Sequence, residues 1–207
     1  MMVSAILLGA GESKRMGVDK LSFPWGRKMV FEHSVETLLR SKVREVVTVI
    51  RNSKRAVVGH IKDRKLKVVI NPYYKRGMST SIRRGLRAID PSSHGILIAL
   101  GDQPLVKTRT INALIHAFVQ RRGTIVIPSF QGKQGHPVIF DRRYLKELLK
   151  LKGDVGGRSI INKYPEEVWL VRVRSEGVTR DIDTWEDYER VNPVRKGGVL
   201  TLPSIRS

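Results

Sequence analysis

Glycines and three cations share one turn of this 207-residue chain: Gly9, Gly11, Lys14, Arg15 and Lys20 follow the apolar run Val3-Ser4-Ala5-Ile6-Leu7-Leu8. Glycine lets backbone N–H groups approach a ligand closely, and the cations supply charge opposite phosphates. At the end of a buried strand that pairing describes a triphosphate cradle. Two common glycine motifs are absent. Lys14 stands where G-x-G-x-x-G needs its last glycine, and no G-x-x-x-x-G-K-[ST] occurs. Taken alone, the turn reads equally well as a solvated loop.

Carboxylates that could work opposite such a cradle lie further along. Asp102 follows the apolar run Gly95–Leu100 directly, between Gly101 and Gln103. Mg²⁺ takes one or two carboxylates with phosphate oxygens and water, so Asp102 is a candidate ligand; its alternative is a turn aspartate or the cap of the next helix. Asp181 and Asp183 alternate around Ile182, and an extended chain would point both to one side. Capping the next helix is the rival role for Asp183. The stretch Asn71 to Ser81 ends a strand and opens a helix at Gly77-Met78-Ser79, where free amides could meet a polar ligand group or where Ser79 could simply cap. Gly135-His136-Pro137 puts one imidazole in a tight turn, as a binder or as a structural histidine. No order or pairing of Ser, His and Asp points to nucleophilic catalysis.

Composition narrows the class. Hydrophobic residues at 41% and aromatics at 6% suit an ordinary α/β protein with a real core. The absence of cysteine excludes disulfides, thiolate metal sites and a cysteine nucleophile. No apolar run approaches the roughly 20 residues that span a bilayer, and no signal peptide is read before Val3, so a cytoplasmic address without membrane association is expected. A net charge of +20 favours polyanionic partners. The basic residues are scattered, with neither zinc-finger spacing nor an aromatic-studded RNA-binding strand. Specific nucleic-acid recognition is therefore not expected, although nonspecific attraction at low salt is.

The elements that must position these residues alternate. Strands are expected over Val3–Leu8, Glu45–Ile50, Lys67–Ile70, Gly95–Leu100 and Thr124–Ile127. Between and after them come helices over Phe31–Arg40, Ser53–Ile61, Met78–Ile89 and Thr108–Gln120. The second half is less regular. It has a turn at Gln131–Gly135, a strand at Pro137–Phe140, helices over Asp141–Lys150 and Gly157–Lys163, a strand at Val168–Val173, and a helix over Thr184–Val191 capped by Thr184. Repeated strand–helix units imply a three-layer, doubly wound, mostly parallel sheet of Rossmann-like type, with ligands beyond the carboxyl ends of the strands. The expected organisation is one domain over 1–191 and a basic tail over 192–207, in which Val199–Leu202 could add an edge strand.

Nearly the whole chain, Val3 to about Tyr188, resembles the molybdenum cofactor cytidylyltransferases and their relatives among nucleotidyltransferases of the glycosyltransferase-A type. The resemblance rests on six stretches in order: LGAGESKRMGVDKL, NPYYKRGMSTSIRRGL, LGDQPLV, GHPVIF, GDVGGR and DIDTWEDY. It implies that the phosphate of a molybdopterin-type substrate attacks the α-phosphate of a nucleoside triphosphate and releases pyrophosphate. Leu8, Gly9, Ala10 and Gly11 would then meet the nucleoside, with Asn71 and Ser79 also on the nucleotide. Arg15 and Lys20 would hold the triphosphate and act in catalysis with Asp102. Asp102 and Asp183 would hold Mg²⁺. Gly77, Met78, Ser81, Gln103, Gly135, His136 and Pro137 would lie on the pterin side.

Within that resemblance, Ala10 and the GDQP, GMS and GHP stretches favour CTP over GTP. Gly9 departs from the alanine usual there, Pro24–Met29 departs from the family's glycine–x–proline–leucine, and Trp185 replaces a common proline. The alternatives are a GTP-using guanylyltransferase, transfer to another phosphate such as a sugar phosphate, and a non-catalytic carrier. The carrier would hand the cofactor to a molybdenum enzyme, and transient contact with such an enzyme is implied in any case.

Overall fold

The computed structural model describes residues 1–11 and 16–193; Lys14, Arg15 and the segment 194–207, including the Val199–Leu202 stretch, lie outside them. The chain begins with β1 (Val3–Gly9), a hairpin of β2 (Pro24–Trp25) and β3 (Lys28–Met29), and α1 (Val30–Leu39). It continues through β4 (Glu45–Ile50), α2 (Arg55–Gly59), β5 (Leu66–Ile70), α3 (Met78–Leu86), β6 (Gly95–Leu100) and α4 (Thr108–Val119). Then come β7 (Ile125–Phe130), β8 (Lys133–Gln134), β9 (Val138–Asp141), α5 (Leu145–Lys150), α6 (Arg158–Lys163), β10 (Val168–Arg172) and α7 (Trp185–Val191).

The main sheet runs β10-β7-β9-β6-β1-β4-β5, with β8 attached to β7. β1 lies between β4 and β6, parallel to both, and all seven of its residues are buried. A strand covered on both faces has no polar side to show, which is why Val3–Leu8 reads as a nearly unbroken apolar run. Successive residues divide between two cores. Ala5, Leu7, Leu97 and Ala99 pack with α1, α2, α4 and α7, whereas Ile6, Leu8, Ile96 and Ile98 pack with α3, α5 and α6. The result is the expected three-layer α/β fold. β9 runs antiparallel to both neighbours, wedged between β6 and β7, and the short β8 is antiparallel to β7.

Several boundaries differ from the sequence expectation. The Ser53–Ile61 helix is shorter: a 3-10 turn, Asn52–Lys54, precedes the five-residue α2, which stops at the poor helix former Gly59. α3 ends at Leu86 rather than Ile89. The Gln131–Gly135 turn is the tip of the β7–β8 hairpin, where Gln131 and Gly132 both take positive φ, the twist that two-residue hairpins favour. The β2–β3 hairpin occupies the stretch that departs from the family pattern. α7 packs against the segment beside it: Trp185 stacks on Phe23 at 4.7 Å between centroids, and the Tyr188 hydroxyl donates to the Pro24 carbonyl at 2.6 Å. Trp185 therefore does packing work that a proline could not. Among the described residues, no helix is long and apolar enough to cross a membrane.

Candidate active site

β1, β4, β5 and β6 are parallel, so their carboxyl ends meet one edge of the sheet. β1 runs into Ala10 and Gly11 there, and β6 into Gly101 and Asp102. The Gly101 amide donates to the Leu8 carbonyl at 2.9 Å, holding the two turns side by side. Between them stands Lys20. Its Nζ lies 2.7 Å from a carboxylate oxygen of Asp102 and 2.7 Å from one of Asp183. Burial would push the Lys20 pKa down, but the charges and hydrogen bonds of Asp102 and Asp183 outweigh it and raise the pKa. This ammonium stays charged.

Backbone pairing explains why Asp183 arrives. The Ile182 amide donates to the Asp102 carbonyl at 3.0 Å, and the Ile182 side chain is buried in the core. Its two neighbours in the extended chain face the other way, toward the Asp102 turn. They take different partners there: Asp183 accepts from Lys20, and Asp181 accepts from Gln103 Nε2. Burial pushes the Asp181 carboxyl up; the Gln103 hydrogen bond opposes this, and the charges of Asp102 and Asp183 add to it.

The capping alternatives are settled locally. α7 is capped by Thr184, whose hydroxyl accepts from the Asp187 amide at 3.1 Å while the Asp187 carboxylate accepts from the Thr184 amide at 3.0 Å. Asp183 is thus not the cap, and its carboxylate pairs with Lys20. The N-cap residue of α4 is Lys107, with no side-chain cap, so Asp102 is not a cap either.

Asp102 and Asp183 already share one cation, the Lys20 ammonium, so this donor pair suits a positive charge. Among the described residues, no group of three or more His, Asp and Glu side chains is placed to hold a metal. Two carboxylates match an ion that draws its remaining ligands from phosphates and water, as Mg²⁺ does.

A cleft of about 600 Å³ opens beside Lys20 and Asp102. Leu8, Gly9, Ala10 and Gly11 line it, and so do Gly77, Met78 and Ser81. A second cavity of about 270 Å³ is lined by Gly135, His136, Phe140, Gly157 and Arg158, and Met78 borders both. Burial pushes the His136 imidazole pKa down against the pull of Asp181 and Asp102.

Other expected site residues fall elsewhere. Asn71 is fully buried and ties β5 to α3: its Nδ2 donates to Thr80 Oγ1 and Ser81 Oγ, both at 2.9 Å, and its Oδ1 accepts from the Tyr73 amide. Ser79 is fully buried as well, and the amides expected to be free at this helix start are taken. Ser79 N donates to the Gly153 carbonyl at 3.2 Å and Met78 N to Asp154 Oδ1 at 3.0 Å. Gly77, not Ser79, is the N-cap residue, with φ 97° and its α-carbon pressed against Gly153. Gln103 and Pro137 border a small gap under α1 and α4 instead of the cleft. Arg15 lies outside the described residues.

The structure also brings in residues that spacing did not reveal. Tyr74, Lys75, Arg76 and Asp154 line the cleft. Asp154 sits in GDVGGR, a stretch with a family match but no role assigned from sequence.

An α/β sheet that sets a glycine turn beside a lysine shared by two carboxylates, at the strand ends, offers a place for a phosphorylated ligand. The comparisons agree: the MobA-like NTP transferase domain matches residues 5–168, and the chain belongs to this family of nucleotidyltransferases. It is 29% identical over 198 residues to nicotine blue oxidoreductase of Paenarthrobacter nicotinovorans, covering 91% of this chain and 96% of that protein. It is 22% identical over 186 residues to the molybdenum cofactor cytidylyltransferase of Escherichia coli, covering 90% and 93%. Among solved structures, Rv0371C of Mycobacterium tuberculosis H37Rv in complex with manganese superposes with a TM-score of 0.75 at 23% identity, covering 93% of this chain and 98% of that one.

Proposed function

We propose that this nucleotidyltransferase transfers CMP from CTP to the phosphate of a molybdopterin-type cofactor, giving the cytosine dinucleotide form and pyrophosphate. The observation that carries the reading is that Lys20 and Asp102 line one cleft with the Gly9–Gly11 turn, with Asp183 paired to the same Lys20. The two relatives named above differ, one an oxidoreductase and one a cytidylyltransferase by name; a charged lysine between two carboxylates beside a glycine turn favours phosphoryl chemistry.

Each residue then has a task. The Gly9–Gly11 backbone receives the nucleoside. Lys20, kept charged by its carboxylates, supplies positive charge opposite the α-phosphate, where negative charge builds in the transition state. Arg15, from the same turn, adds to the triphosphate grip. Asp102 and Asp183 would hold Mg²⁺, which neutralises triphosphate charge and makes pyrophosphate a better leaving group; the manganese in the structural neighbour is in keeping with a divalent ion. The smaller cavity behind Met78 takes the acceptor, with its apolar wall against a flat heterocycle and His136 as a binder. Transfer needs positioning more than covalent chemistry, and two adjoining cavities provide it. The working unit is residues 1–191, and a transient contact hands the product to a molybdenum enzyme.

The experiment is pyrophosphate release with authentic molybdenum cofactor and either CTP or GTP. CTP-dependent, Mg²⁺-dependent release that needs the cofactor supports the reading. Equal or better use of GTP replaces the cytidylyl assignment with a guanylyl one.

A further inference from the structure

Beyond Lys20, a second lysine is tied to the glycine turn. Lys54 lies in the 3-10 turn after β4, the strand that pairs with β1, and its side chain is only 1% exposed. A buried ammonium is costly unless it is paired and hydrogen-bonded. Lys54 Nζ is 2.9 Å from Asp19 Oδ1 and 3.2 Å from the Gly11 carbonyl oxygen. One ammonium thus holds both ends of the segment between the nucleoside turn and Lys20. Asp19 passes the constraint on: its carboxylate accepts from the Leu21 amide and the Ser22 hydroxyl, both at 3.3 Å, and so caps the short turn that carries Lys20.

Arg51 also lies on Asp19, at 3.2 Å, so two cations share one carboxylate close to Lys20. Core packing alone would be served better by an apolar residue at position 54. Burial presses the Lys54 pKa down and Asp19 opposes it, while the charges of Arg51 and Lys20 press the same way as burial.

We propose that Lys54 is a positioning residue for nucleotidyl transfer: it draws Gly11 and Asp19 to one point and thereby sets where Lys20 stands. The proposal rests on the reading of Gly9–Lys20 as the triphosphate turn. Holding Gly11 and Asp19 on Lys54 and binding a triphosphate then favour each other, because each is easier once the other has occurred.

The test compares wild type with Lys54→Met, Lys54→Arg and Asp19→Asn. It measures amide hydrogen exchange across residues 8–20 without ligand, and binding of CTP and of GTP with Mg²⁺ by calorimetry. Lys54→Met is expected to speed exchange in residues 8–20 about tenfold or more, the effect of losing one charge-assisted hydrogen bond. Exchange in α4 should stay unchanged, and triphosphate affinity should fall by a similar factor. Lys54→Arg keeps the charge and should restore part of both. A folded Lys54→Met protein with wild-type exchange in the turn and wild-type affinity overturns the proposal. Should Lys54→Met not fold, Asp19→Asn is read the same way, and unchanged exchange there overturns it equally. Wild-type protein that binds neither triphosphate overturns the nucleotide reading instead, a distinguishable outcome.

Discussion

Gly9 and Phe31 are in direct contact: a Cβ built on Gly9 would stand 2.4 Å from the edge of the Phe31 ring, and that ring is fully buried in the core. Gly101, on the neighbouring strand end, is pressed against the same ring, with a would-be Cβ at 2.6 Å. The glycine at position 9 is thus explained by packing against Phe31. Gly9→Ala is expected to cost about 1–3 kcal/mol of stability, the usual penalty for overfilling a packed core. Pairing it with Phe31→Leu should recover part of that loss. Denaturant melts of the single and double variants check this, and an unperturbed Gly9→Ala protein would contradict it.

Lys20→Ala should reduce the rate of transfer more than nucleotide affinity. Its charge matters most where negative charge accumulates, at the α-phosphate in the transition state. A loss of about 10²- to 10³-fold in single-turnover rate, with a smaller change in triphosphate Kd, is expected. Equal losses in both would make Lys20 a simple binding residue.

Asp102→Asn should remove Mg²⁺-dependent turnover yet leave the fold intact. Asp102 is partly exposed, and Asp183 still pairs with Lys20 when it is changed, so stability should move by no more than about 1 kcal/mol. Turnover with Mg²⁺ retained in this variant would contradict its metal role.

Much of this layout is written in local pattern. The run Val3–Leu8 has no polar break because β1 is covered on both faces, and the alternation Asp181-Ile182-Asp183 gives the period of two that turns both carboxylates toward Asp102. Other features depend on partners distant in sequence. Lys54 in a short polar turn looks solvated until Asp19 and Gly11 close over it. The amides at Met78 and Ser79 look free until the Gly153–Asp154 turn takes them. Pro137–Phe140 reads as a strand, but nothing local shows that β9 inserts antiparallel between β6 and β7. The β2–β3 hairpin has two-residue strands, too short for any periodicity.

Acid should weaken the fold through Glu45, away from the cleft. Its buried carboxylate accepts from Ser4 Oγ at 2.7 Å, from Lys67 Nζ at 2.6 Å and from the Asp90 amide. Burial alone would raise its pKa, but these hydrogen bonds outweigh burial and lower it. A lowered carboxyl pKa stabilises the folded state fully above the unfolded value, near 4.5, and that contribution is lost as pH falls through the folded value. The stability gap between wild type and Glu45→Gln should therefore be constant from pH 7 to about pH 5 and shrink below about pH 4.5. A gap that persists unchanged at pH 3 would contradict this.

The most direct test of nucleotidyl transfer is pyrophosphate release by the wild-type protein with authentic molybdenum cofactor, Mg²⁺, and CTP or GTP in parallel. Release that requires both the cofactor and Mg²⁺, and that is faster with CTP than with GTP, is the predicted result. No release from either triphosphate, although the protein binds the cofactor, would contradict it and leave a carrier.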